Sequence, residues 1–133
     1  MNAAGPDYDL SGHWTGFFSF PSLLPPGQFE AEIRDMAGAI SGVTTEAGHR
    51  YDPPGTVLDA VIEGRRSGAS LNFSKTYANE PRPDRVYYRG TIEPDGDEVR
   101  GEWTIPGEWS GSFLMIRARK EEVAIRREAD ATV

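Results

Sequence analysis

The chain contains no cysteine, which removes disulfide crosslinks, thiolate metal sites and a cysteine nucleophile from its chemistry. Histidine is nearly as scarce. The two histidines, His13 and His49, stand far apart in the chain, a poor basis for a zinc site, a Ser-His-Asp relay or the axial ligand of a haem. No apolar run approaches the roughly 18 residues of a membrane-spanning helix. No basic-then-apolar leader opens the sequence, so the expectation is a cytoplasmic protein without a membrane partner. Basic blocks are also short. The longest is Arg117 to Lys120, interrupted by Ala118, in a chain of formal charge −7, and a surface of that sign repels the phosphate backbone of a nucleic acid. Neither a metal nor a cofactor is expected.

What the sequence does contain is turns. Fifteen glycines and ten prolines punctuate 133 residues that are only 38% hydrophobic, with aromatic and β-branched residues gathered in short runs. This is the pattern of many strands joined by tight connections, an all-β domain. The length suits one domain, which would hide roughly two-thirds of its unfolded surface. Alternation with a period of two predicts eight strands, near 9–20, 28–34, 39–47, 56–66, 69–77, 85–94, 97–105 and 108–118, with no helix between them. The expected architecture is an eight-stranded antiparallel up-and-down β-barrel over residues 1–118, followed by a charged tail over 119–133.

One parity of these strands collects the apolar side chains. It carries Trp14, Phe18 and Phe20, then Phe29, Ala31 and Ile33, then Leu58, Ala60 and Ile62; later come Leu71 and Phe73, Val86, Tyr88 and Ile92, Val99 and Trp103, and Trp109, Phe113 and Met115. The same parity carries Gly12, Gly16, Gly42, Gly64, Gly90, Gly101 and Gly111. Glycine inside a strand costs stability. Its repetition here means either relief for large inward rings or a cavity, since an eight-stranded barrel is just wide enough for side chains or one small ligand.

The connections divide by end. Loops 35–38, 67–68 and 95–96 share one end and are tight, with Asp95-Gly96 reading as a hairpin turn. Loops 21–27, 48–55, 78–84 and 106–107 share the other end and hold eight of the ten prolines. Stiff loops lose less entropy on binding, so the proline-rich end is the expected binding end. Phe20, Phe29, Lys75, Tyr77, Trp103 and Trp109 are expected around that mouth, with Tyr88 able to orient a ligand and His49, Arg50 and Tyr51 on a loop above. Lys75 follows Leu71 and Phe73 on the inward parity. An isolated buried ammonium is costly, so it should meet a carboxylate, a ligand or water at the rim, or extend into solvent from the strand end. Asp52 and Glu80 are candidate mouth carboxylates.

Gly12-His13-Trp14 at the start of the first strand, with Arg117 inward at the end of the last, resembles the signature of the calycin barrels, which include lipocalins, fatty-acid-binding proteins and avidins. The resemblance spans the strand order of residues 9–118. It implies that Trp14 plugs the closed end beneath Arg117, a contact worth about 0.5–2 kcal/mol as a cation–π pair. The short stretch Pro21 to Gly27 leaves no room for the helical lid of fatty-acid-binding proteins, and the layout is most similar to the avidin-like barrels. The biotin-binding polar set does not carry over position by position.

Phe17, Leu114 and Ile116 should face outward across the seam where the first and last strands meet, an apolar patch for Val123 and Ile125 of the tail or for a second copy in a homo-oligomer, dimer or tetramer. The functional expectation is a non-catalytic barrel that binds a small, mostly apolar molecule, an anionic one among the candidates, at the proline-rich end. A filled barrel serving as an interaction or oligomerisation module is the alternative. A third reading, an isomerase or cyclase using a mouth acid with Tyr77 or Lys75, has little support from residue chemistry.

Overall fold

In a computed structural model that describes residues 8–21, 26–48, 53–78 and 85–118, the chain forms one closed barrel of eight antiparallel strands in sequence order. They are β1 (Gly12–Phe18), β2 (Gly27–Met36), β3 (Ala39–Ala47), β4 (Val57–Ser67), β5 (Ser70–Tyr77), β6 (Arg85–Ile92), β7 (Glu98–Ile105) and β8 (Trp109–Arg117). Closure comes from β1 pairing with β8, with Trp14 opposite Arg117 and Phe17 opposite Leu114. No helix occurs among the described residues. The all-β, up-and-down expectation is met, and most strand limits shift by only a residue or two. The tail over 119–133 lies outside the described residues.

The expected first strand, 9–20, is too long. It begins at Gly12, whose φ of 131° is unfavourable for an L side chain and bends the preceding chain out of the sheet. Residues 9–11 are tied instead to the tight-looped end. Leu10 is fully buried there; its N–H donates to Asp35 Oδ2 at 3.0 Å, and its carbonyl accepts the indole N–H of Trp14 at 2.8 Å. The guanidinium of Arg117 lies 4.6 Å from the Trp14 ring and donates to the carbonyls of Asp9, Ser11 and Gly96 and to Asp97 Oδ1. A planar cation with five donors suits this task, because it can satisfy several converging backbone acceptors at once.

The hairpin expected at Asp95-Gly96 is also longer than a two-residue turn. β6 stops at Ile92 and β7 starts at Glu98, with the Gly96 N–H donating to the Glu93 carbonyl and the Glu93 N–H to the Glu98 carbonyl. Pro94 has no N–H with which to continue the ladder, so the pairing ends before it. By contrast, β2 and β3 join through two residues, Ala37 and Gly38, both at positive φ (54° and 94°). That is the backbone of a type I′ turn, whose twist matches that of the strands it links.

Nearly all of the expected inward residues form the core, which also includes Leu10, Ile40 and Tyr77. The inward glycines serve packing in two ways. At Gly16 and Gly111 a Cβ would collide with the rings of Phe29 and Trp103, and at Gly42, Gly64 and Gly101 with backbone carbonyls of the neighbouring strand. The absent side chains therefore admit aromatic rings and let the sheet coil tightly into a barrel, the first of the two explanations that the sequence leaves open.

Candidate functional site

The interior changes character toward the proline-rich end. β3 sends Thr44 and Glu46 inward, β5 sends Lys75 and Tyr77, and all four are buried. The strand period explains the placement, because these residues occupy the same alternate positions as Ile40 on β3 and as Leu71 and Phe73 on β5. Glu46 Oε1 accepts a hydrogen bond from Lys75 Nζ at 2.8 Å and another from the Tyr77 hydroxyl at 3.0 Å. Ammonium and carboxylate are both withdrawn from solvent, with 0% and 2% of their side chains exposed.

Lys75 Nζ makes one hydrogen bond among the described residues, to Glu46. Four aromatic rings also lie close to it. The ring centres of Phe29, Tyr77, Phe18 and Tyr88 lie 4.4, 5.0, 5.1 and 5.5 Å from it, so the π faces supply part of the negative potential that water would otherwise provide. Burial drives the Lys75 pKa below the usual lysine value, against the opposing pull of Glu46. Burial, followed by the charge of Glu46, pushes the Tyr88 hydroxyl far up and holds it protonated. The site thus combines a confined amine, a carboxylate and two phenols with little water to screen them.

Thr44 adds an unexplained polar group. Its hydroxyl is buried without a hydrogen-bond partner among the described residues, two residues from Glu46 on the same inward face. Its register neighbours are Ala31 and Ala60, which offer only methyl groups, and Tyr77 pairs with Ala60 on the far side.

Above this polar cluster the rings continue to the rim. Phe18 lies 5.3 Å from Phe20 and 6.5 Å from Trp103 between ring centres. Phe20 then contacts Trp103 at 5.7 Å and Trp109 at 5.3 Å. The Trp103 indole N–H donates to the Ser19 carbonyl at 2.9 Å, which orients the ring over Gly111. One aromatic column therefore runs from the mouth toward Lys75 and joins Phe20, Phe29, Tyr88, Trp103 and Trp109 through Phe18, while Tyr77 meets it at Lys75.

Lys75 and Phe29 are buried below the rim expected for them, and Lys75 does not reach solvent. Its carboxylate partner among the described residues is Glu46, the last inward residue of β3. Trp109, expected to point inward, is 38% exposed, because β8 starts at that residue and its ring leans over the rim. Tyr51, with His49, Arg50, Asp52 and Glu80, lies outside the described residues. Glu46 was legible in one respect, since the alternation through Ile40, Gly42 and Thr44 puts it inward. Its charge by itself favours water, and only a buried cation such as Lys75 makes the inward position tolerable.

The outer wall offers a different chemistry. Its grooves across β4 to β7 are lined by Glu63, Arg65, Asn72, Arg89 and Glu102, a polar surface open to water. His13 also faces outward, with Nδ1 2.6 Å from Glu32 Oε1 and Nε2 2.6 Å from Glu30 Oε1. Partial burial opposes its charge, but the two carboxylates outweigh that effect and raise its pKa above 6.5. No group of three or more acidic or histidine side chains suited to a metal ion occurs among the described residues, nor does a helix long and apolar enough to cross a membrane. Against known proteins, the chain matches no family model and no curated sequence.

Proposed function

We propose that this barrel, of calycin type and closest in layout to the avidin-like members, binds a small and mostly apolar molecule through its proline-rich end. The molecule's single polar group would be received by Lys75, Glu46 and Tyr77. The observation that carries this reading is the fully buried Lys75–Glu46 pair beneath a column of aromatic rings. A buried ion pair is rarely the most stable filling for a core, since well-packed apolar residues of similar volume often do as well or better. Its presence, with a Thr44 hydroxyl that has no partner among the described residues, supports polar contact with a bound molecule inside an otherwise apolar interior. Glu46 already balances the charge of Lys75, so a carboxylate ligand would introduce an uncompensated negative charge. A neutral acceptor such as a carbonyl fits better, and this refines the expectation of an anionic ligand.

The test is native mass spectrometry of freshly purified protein, followed by titration of its tryptophan fluorescence with apolar aromatic ketones. Saturable quenching is expected. The double substitution Lys75→Met with Glu46→Gln, which removes the pair without stranding a charge, should weaken affinity by about tenfold, or ~1.4 kcal/mol. Unchanged affinity in the folded double variant, or no saturable binding by the native protein, would overturn the reading.

A second reading draws on the seam. Phe17 is 38% and Ile116 40% exposed, on strands β1 and β8, with Leu114 paired directly to Phe17. This strip supports self-association into a homo-oligomer across the seam. Light scattering should give a mass above that of one chain, and Ile116→Lys should return it to the monomer value; a monomeric native protein would dismiss the idea.

A further inference from the structure

We propose that Lys75 is a carbonyl-capturing amine, which holds an apolar aldehyde or ketone as a protonated imine with Glu46 as its counter-ion. The inference rests on the binding reading above and adds covalent chemistry to it.

Three observations lead to it. The sequence contains only two lysines, Lys75 and Lys120, and Lys75 is fully buried inside the barrel. Surface solubility therefore does not explain its presence. Secondly, Lys75 Nζ keeps donors that no oxygen or nitrogen among the described residues accepts, and four aromatic rings lie within 5.5 Å of it. Nucleophilic lysines are made in this way, by desolvation that favours the neutral amine, and the lowered pKa of Lys75 agrees. Thirdly, Glu46 Oε1 touches both Lys75 and Tyr77, so one carboxylate can take a proton from the ammonium and deliver it to an oxygen beside the phenol.

The chemistry balances without any further reagent. Glu46 accepts a proton from the ammonium, leaving a neutral amine whose lone pair attacks the carbonyl carbon. The carbon–oxygen π pair moves to oxygen, which takes a proton displaced from nitrogen, giving a carbinolamine. Glu46 returns its proton to that hydroxyl, and the oxygen leaves as water while the nitrogen lone pair forms the carbon–nitrogen double bond. Overall an ammonium and a carbonyl become an iminium ion and one water, and the iminium stays paired with the Glu46 carboxylate. The charge inside the barrel is the same before and after, so the electrostatics that hold Lys75 and Glu46 also hold the adduct. Of the four rings around Nζ, Phe18 and Tyr77 are the most exposed, at 8% each.

The experiment incubates the full chain with 2-naphthaldehyde and traps any imine with sodium cyanoborohydride. Intact mass and peptide mapping then locate the adduct. Reductive trapping is expected mainly on Lys75, ahead of Lys120 and the amino terminus, and Glu46→Gln should slow it about tenfold by removing the proton carrier. Lys75→Arg should abolish it at that position. Should the arginine variant not fold, the map of the native protein alone decides between the three amines. A parallel titration with 2-naphthalenemethanol, which has the same shape and no carbonyl, separates the two levels of the argument. If the alcohol binds saturably and the aldehyde is not trapped at Lys75, covalent capture is overturned and the binding reading stands. If neither binds, both fall. Trapping spread evenly over all amines also overturns it.

Discussion

Lys75 and Glu46 are worth far more to each other than to the fold. Each alone would be a charge in a chamber of rings, and removing one partner of a buried pair commonly costs 3–5 kcal/mol, because the other is left uncompensated. Lys75→Met alone is therefore expected to destabilise the protein by about 3 kcal/mol, read as a lower midpoint in urea unfolding. Adding Glu46→Gln should recover most of that loss, with Tyr77 still able to donate to the new amide. A double variant no more stable than Lys75→Met would show that the pair is not coupled as its 2.8 Å hydrogen bond implies. At this scale the sequence was half legible. The alternation of β5 made Lys75 inward and in need of a partner, whereas the identity of the partner depended on which residue of a strand two positions away in the barrel came to lie opposite it.

At the scale of the element, the turns decide how well the strands are joined. Ala37 holds a left-handed conformation at φ 54°, where a Cβ crowds the backbone, and the Gly38 carbonyl beside it accepts the Arg66 N–H across the end. Asparagine tolerates this region better than alanine. Ala37→Asn should therefore stabilise the barrel by about 0.5–1 kcal/mol, seen as a higher unfolding midpoint with no change in far-ultraviolet circular dichroism. A loss of stability would mean that the turn is not of the I′ type. Here the strands were readable because period-two patterning survives in short stretches, and β3 was placed without error. The limits of β1 and of the β6–β7 loop were not, since Gly12 and Pro94 act through backbone geometry and missing donors, not through hydrophobic pattern.

For the molecule as a whole, the tight-looped end is where the two ends of the sheet are tied together. Asp35 stands at its centre with a nearly unexposed carboxylate. It accepts from Arg66 Nε at 2.7 Å and from the backbone N–H groups of Leu10 and Gly38. Burial alone would raise its pKa, but Arg66 and the two N–H donors reverse that and hold it below the ordinary 3.8. A carboxyl whose folded pKa is depressed contributes stability that is fully present above the unfolded value and is lost as pH falls through the folded one. Asp35→Asn should thus cost about 3 kcal/mol near neutrality. Its deficit relative to the native protein should shrink between about pH 5 and pH 2, measurable as converging urea midpoints. A deficit independent of pH would assign the effect to shape and not to charge.

The sequence by itself determined the class of fold, the strand order, the inward parity and the separation of a tight end from a proline-rich one, because all of these follow from local periodicity and turn chemistry. It also placed Trp14 and Arg117 at the same end, since up-and-down connectivity brings the start of the first strand beside the end of the last. Only the tertiary structure decided that Lys75 lies below the rim, that Glu46 answers it, and that Thr44 is buried without a partner among the described residues. Those facts depend on register and on the tilt of strands around a closed barrel, which set residues far apart in sequence within a few ångströms of one another. No local signal along a single strand encodes that distance.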